Sequence, residues 1–168
     1  MTDTTAVTTA SAPGRPPTAQ RARRLRALRL NSAAISVMLL VQYGLGIGVN
    51  LYAKIPSADH DIGLATAVGR ALTSQPVVLA LHTALGLLML VAGVTVLVRA
   101  IRARHRVAIA ASALGFAAII GAAGAGAAFV SDELDGVSLT MALLTGVALL
   151  CYLANLLTVV PSAKASEG

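Results

Sequence analysis

Tryptophan is absent, and three tyrosines and two phenylalanines are all the aromatic side chains in 168 residues. Helical membrane proteins commonly mark their water interfaces with Trp and Tyr, so here the ends of any spans must be anchored mainly by charge. Charge is itself scarce, at 12% of residues against 57% hydrophobic, where soluble domains run at about 25% charged and about 45–50% apolar. With a mean hydropathy of +0.80, this composition belongs in a bilayer. The lone cysteine, Cys151, excludes an intramolecular disulfide and any thiol-redox chemistry that needs a pair. It reads as a small buried hydrophobe. No glycine-rich phosphate loop, HExxH pair or hydrolase elbow occurs, which leaves soluble-type catalysis without support.

What the sequence does contain is long apolar runs. Residues 1–20, rich in Thr, Ala and Pro without hydrophobic periodicity, are expected to be a disordered cytoplasmic tail, and 21–31 form a basic juxtamembrane segment. Spans follow at about 32–54, 75–99, 106–130 and 137–160, with a short tail at 161–168. Each is near the roughly 20 residues a helix needs to cross the hydrocarbon core, where backbone groups leave no alternative to helix. The first run is too long for a signal-peptide core and lacks a small-residue cleavage pattern, so it reads as retained. The expected fold is all-α, an integral membrane four-helix up-down bundle. In the first outer loop Ile62, Ala65, Val68 or Gly69, and Leu72 recur at helical spacing. A short interfacial helix is predicted there, capped by Asp59 or Asp61.

Basic residues are sorted by side. If there are four spans, Arg15, Arg21, Arg23, Arg24, Arg26, Arg29, Arg99, Arg102, Arg104, Arg106 and Lys164 all fall on one face, and only Lys54 and Arg70 lie opposite. The positive-inside rule puts both termini in the cytoplasm. The segment "RARRLRALRL" abuts a span directly, so it reads as a topology signal that contacts anionic lipid headgroups rather than as a nucleic-acid site. His105, within the basic connection, reads as a solvated neighbour of the arginines.

Inside the spans, polar residues almost always face protein. Gly44 and Gly48 make a GxxxG step in the first span, and Ala117, Gly121, Gly124, Ala125 and Ala128 let neighbours approach the third. His82 shares a helical face with Gly86, Met89 and Gly93; Gln42, Gly46 and Asn50 form a stripe on the first span, and Met141, Thr145, Ala148, Tyr152 and Asn155 one on the fourth. Measured from span midpoints at about 1.5 Å per residue, Asn50, His82, Gly124 and Met141 all lie about 8–11 Å to the outer side of the midplane. These four are the candidate cofactor-binding residues.

His82 has several readings. As a structural group it is a neutral imidazole bonded to Asn50, Thr140 or a helix carbonyl, fastening the bundle by about 0.6–2 kcal/mol. As a redox group it ligates haem b with Met141 as the second axial ligand and Gly124 leaving room for the porphyrin edge, although no second histidine faces it from another span. It could also donate a hydrogen bond to a quinone or a lipid headgroup. A metal site would have to come from the outer loops, from Asp59, His60 and Asp61 with Asp132, Glu133 and Asp135.

The run "VQYGLGIGVNLYAKIP" followed by "LHTALGLLMLV" resembles the uncharacterised short four-span membrane proteins of high-GC bacteria, over residues 32–105. That resemblance implies a bacterial plasma membrane and supplies no catalytic residue. The expected role is non-enzymatic: an accessory subunit of a larger membrane-protein complex, or a homo-oligomer. The rival is a haem- or quinone-binding electron-transfer bundle centred on His82. A channel or transporter is disfavoured, because the spans carry no intramembrane acid or base apart from His82 and no internal repeat is apparent.

Overall fold

A computed structural model describes residues 17–52, 64–73, 77–132 and 136–159, and all regular structure among them is helical. The elements are α1 (Pro17–Tyr52), α2 (Leu64–Thr73), α3 (Val77–Ala103), α4 (Arg106–Asp132) and α5 (Val137–Thr158). All but α2 are long and apolar enough to cross a membrane. Even α5, with 22 residues, reaches about 33 Å, against a hydrocarbon core of about 30 Å. The chain therefore has the makings of a small multi-pass membrane protein.

Helix α1 begins earlier than the composition suggests. Pro17 to Gln20, within the stretch read as tail, are already helical, and the arginine segment continues without a break into the apolar run. Proline is well suited to a first helical position, where its missing N–H would have no partner in any case. The short helix expected between the first two spans is present as α2, starting at Leu64. Asp59 and Asp61, its suggested caps, lie outside the described residues.

Packing closes the four long helices into a ring in which α1 meets α3 and α5, and α4 meets α3 and α5, while α2 sits against α3 and α4. Contact pairs show that α1 runs opposite to α3, and α4 opposite to α5. Gln42 and Arg24 of α1 meet His82 and Arg102 of α3, and Ser112 of α4 meets Asn155 of α5. Between α3 and α4 the chain reverses in two residues. Arg104 adopts a left-handed conformation with φ of 52°, and its N–H bonds the Ile101 carbonyl at 3.0 Å. His105 then caps α4: its carbonyl accepts from Ile109 at 2.9 Å and its Nδ1 accepts from the Ala108 N–H at 3.2 Å, the geometry of an N-cap side chain satisfying the third helical donor. His105 thus has a structural function that its basic neighbourhood does not suggest.

The buried core is concentrated at the basic end. Leu28, Ile35 and Leu39 of α1, Met89 and Val96 of α3, Ala118 and Ile119 of α4, and Tyr152 of α5 form one cluster. In the opposite half Val49 is the one buried hydrophobic residue among the described residues. Large aliphatic side chains such as Leu40, Leu81, Leu143, Leu150 and Leu157 point outward, which in water would be a liability and in lipid is the expected surface.

Candidate functional site

His82 lies in the looser half, where α1 and α3 face each other. Its partner is Gln42: the Gln42 Nε2 donates to the His82 carbonyl at 3.1 Å and stands 3.3 Å from the imidazole Nε2. Two glycines make this approach feasible. A methyl group at Gly46 would stand 3.4 Å from His82 Cε1, and one at Gly86 would stand 3.3 Å from Gln42 Nε2. The imidazole Nδ1 and the Gln42 Oε1 are both buried and have no hydrogen-bond partner among the described residues. One amide thus bonds both the backbone and the ring of the facing histidine, a clamp between two helices.

Sequence spacing puts Gln42 and Gly46 on one stripe with Asn50, but estimated depth points to Asn50, Thr140 or a helix carbonyl as the histidine's partner. Asn50 instead donates its amide to the Ser138 hydroxyl of α5. Since His82 sits against residues 42–46 of α1, Asn50 lies more than a turn farther along the helix. Thr140 bonds the Gly136 carbonyl at 3.1 Å. Met141 packs against α4 at Gly126, where a methyl group would stand 3.5 Å from its sulfur. Gly124 is exposed, and a methyl group there would meet nothing within 4 Å. Its open side faces away from the ring of helices, and Gly126 is the α4 glycine against Met141. Of the loop acids and His60 considered for a metal, only the backbone of Asp132 is described, and no trio of His, Cys, Asp or Glu within metal-binding reach occurs among the described residues.

A second polar layer, not anticipated as a unit, lies in the tight half. Asn155 Nδ2 donates to Ser112 Oγ at 2.9 Å, joining α5 to α4, and Ser36 Oγ donates to the Ser32 carbonyl at 2.8 Å on α1. Ser32, Ser112, Tyr152 and Asn155 are all 0% exposed. Ser32 Oγ, Tyr152 Oη and Asn155 Oδ1 have no partner among the described residues. Every long helix but α3 contributes a hydroxyl or amide to this layer, and the Asn155–Ser112 bond fixes the register of α5 against α4.

The Gln42–His82 contact can be weighed directly. A double-mutant cycle with Gln42→Leu and His82→Ala is expected to show a coupling of about 0.6–1.7 kcal/mol, the range for interhelical hydrogen bonds in membrane bundles. Thermal unfolding in detergent measures it; because His82→Ala keeps the carbonyl that Gln42 also bonds, strictly additive losses would refute the contact to the ring, and a Gln42→Leu variant as stable as wild type would refute the clamp.

No family model, no curated protein and no solved structure matches this chain.

Proposed function

We propose that the chain is a non-enzymatic integral membrane protein that crosses a bacterial plasma membrane four times as an up-down bundle. Both termini lie on the cytoplasmic side, and α2 rests at the outer surface. The basic ends of α1, α3 and α4 support that orientation through the positive-inside rule. Within the membrane the protein works as an accessory or self-associating subunit.

The observation that carries this role is the outward face of α4. Ala110, Ala113, Ala117 and Gly124 form an exposed small-residue stripe there, bordered by the exposed Leu114 and Ile120, although the opposite face of the same helix already uses Ser112, Gly115 and Gly121 to approach α5. Lipid gains nothing from small side chains, whereas a second helix can approach them closely and gain dispersion contacts. A helix that carries a small-residue groove between larger side chains on its outer side as well is suited to two neighbours, one within the chain and one outside it.

Cysteines at Ala117 and Gly124, introduced into a Cys151→Ser background and oxidised in the membrane, test this. Disulfide-linked dimers of the chain are expected for self-association, and in either case Ala117→Leu should shift the assembly toward single chains in lipid nanoparticles. Single chains for wild type and variant alike, with no cross-link at either position, would sink the proposal. An optical spectrum of the purified protein, oxidised and then reduced, addresses the rival reading. A Soret band lost with His82→Ala would replace the accessory role by a redox one.

A further inference from the structure

Four of the arginines converge on one groove. The Arg24 guanidinium donates to the Arg102 carbonyl at 3.1 Å, which sets the first turns of α1 beside the last turns of α3. Between them lies a groove of about 930 Å³ lined by Arg23, Arg24, Arg99 and Arg102, continuing over Val94 and Val98 toward the middle of the helices. All four arginines are exposed. The one acidic residue among the described residues is Asp132, at the far end of α4, so no described carboxylate neutralises the cluster. Thr95, beside Val94 in sequence, bonds its hydroxyl to the Val91 carbonyl at 2.9 Å, leaving that stretch apolar in character.

Guanidinium groups recognise phosphate through paired donors in a fixed fork. Two pairs of arginines, one pair from each helix, suit two phosphates better than one, because a single phosphate would leave like charges crowded at the rim. The apolar continuation asks for something further that an inorganic anion lacks. Basic pockets between helices on the inner side of a membrane are a known setting for anionic headgroups. We infer that this groove binds a phospholipid whose headgroup carries two phosphates, with the phosphates held between the Arg23/Arg24 and Arg99/Arg102 pairs and an acyl chain laid over Val94 and Val98. The inference rests on the membrane reading above, with the basic end at the level of the headgroups.

The test uses the full chain in detergent with cardiolipin as the two-phosphate probe, phosphatidylglycerol as the one-phosphate probe and inorganic pyrophosphate as the lipid-free anion, bound lipid being read by native mass spectrometry. One cardiolipin per chain is expected, held more tightly than phosphatidylglycerol and not displaced by pyrophosphate. R99Q/R102Q should weaken it about tenfold or more, the loss of at least one charge-assisted hydrogen bond. R26Q/R29Q removes the same charge from exposed positions outside the groove and should change binding less than twofold. Circular dichroism of the variants checks folding, and R23Q serves if the double variant fails to fold. Equal losses from both arginine pairs would reduce the site to diffuse attraction; displacement by pyrophosphate, or equal affinity for phosphatidylglycerol, would overturn the two-phosphate lipid. Alkaline carbonate extraction of membranes separates the two claims: a chain that is extracted refutes the membrane reading itself, whereas a chain that stays and binds no cardiolipin refutes the groove alone.

Discussion

Tyr152→Ala is expected to be the most damaging single substitution in the bundle, lowering stability by about 3–5 kcal/mol, the range for truncating a large buried aromatic side chain. Tyr152 is 0% exposed and the largest of the fully buried side chains. It projects from α5 across two other helices: a methyl group at Gly115 of α4 would stand 3.0 Å from its Cε2, and one at Gly93 of α3 would stand 3.4 Å from its hydroxyl. Truncation would open a void where three helices meet. In the bilayer proposed for the chain no hydrophobic force would close it, since helix association there depends on van der Waals packing and hydrogen bonds. The contrast with Tyr152→Phe separates ring from hydroxyl. The hydroxyl has no partner among the described residues, so deleting it removes a buried, unsatisfied polar group, and the phenylalanine variant should unfold at or above the wild-type temperature. Thermal unfolding in detergent micelles, followed by circular dichroism, measures both. A phenylalanine variant as weak as the alanine one would show that the hydroxyl, not the ring, holds the helices.

This layer also shows where the sequence is legible and where it is not. The apolar runs mark the long helices because about 20 residues without charge leave few other states open, and helical spacing from Ala65 to Leu72 is enough to find α2. The inward stripes on α1, α3 and α5 can be read too, since glycines and short polar groups stand out against aliphatic residues. On α4 they cannot. Alanine or glycine occupies so many of its positions that no face is distinguished by size, and the side that packs is decided by the ridges of α5. Depth alone singles out Gly124, whereas the glycine against Met141 is Gly126, a contact that depth does not reveal. The partner of His82 is hidden for a different reason. Depth counted from the apolar run starts near residue 32, whereas α1 is helical from Pro17 and its register against α3 is set by contacts along its whole length, including Arg24 at the basic end. Gln42 is on the right stripe, but a level estimated from midpoints favours Asn50. His105 escapes because a cap depends on the residue at which one helix stops and the next begins, which hydrophobic patterning does not resolve.

Gly93→Ala should be nearly as disruptive as a far larger core change, costing about 1–3 kcal/mol as an overpacked site. A Cβ at Gly93 would stand 2.6 Å from Phe116 Cδ2 and 3.3 Å from its Cε2, closer than carbon atoms tolerate. The ring has little freedom to withdraw, because Tyr152 approaches the same glycine from α5. Alanine favours a helix over glycine by about 0.5–1 kcal/mol, so the clash must exceed that gain for the variant to be less stable. Gly44→Ala supplies the comparison: with nothing within 4 Å of its added carbon, it receives the helix-forming gain without the clash and should unfold slightly above wild type. A shorter ring substitute should also rescue the damage, so that Phe116→Leu combined with Gly93→Ala is more stable than the sum of the two single losses predicts. Additive losses would mean that the bundle absorbs the methyl by moving α3 as a body, and α3 would then be held by the Gln42–His82 clamp and the Arg24–Arg102 contact rather than by the close fit at Gly93. Gly124→Ala separates folding from association in the same way. Its added carbon meets nothing within the chain, so the monomer should keep its stability while any partner seated on the outer face of α4 is pushed away.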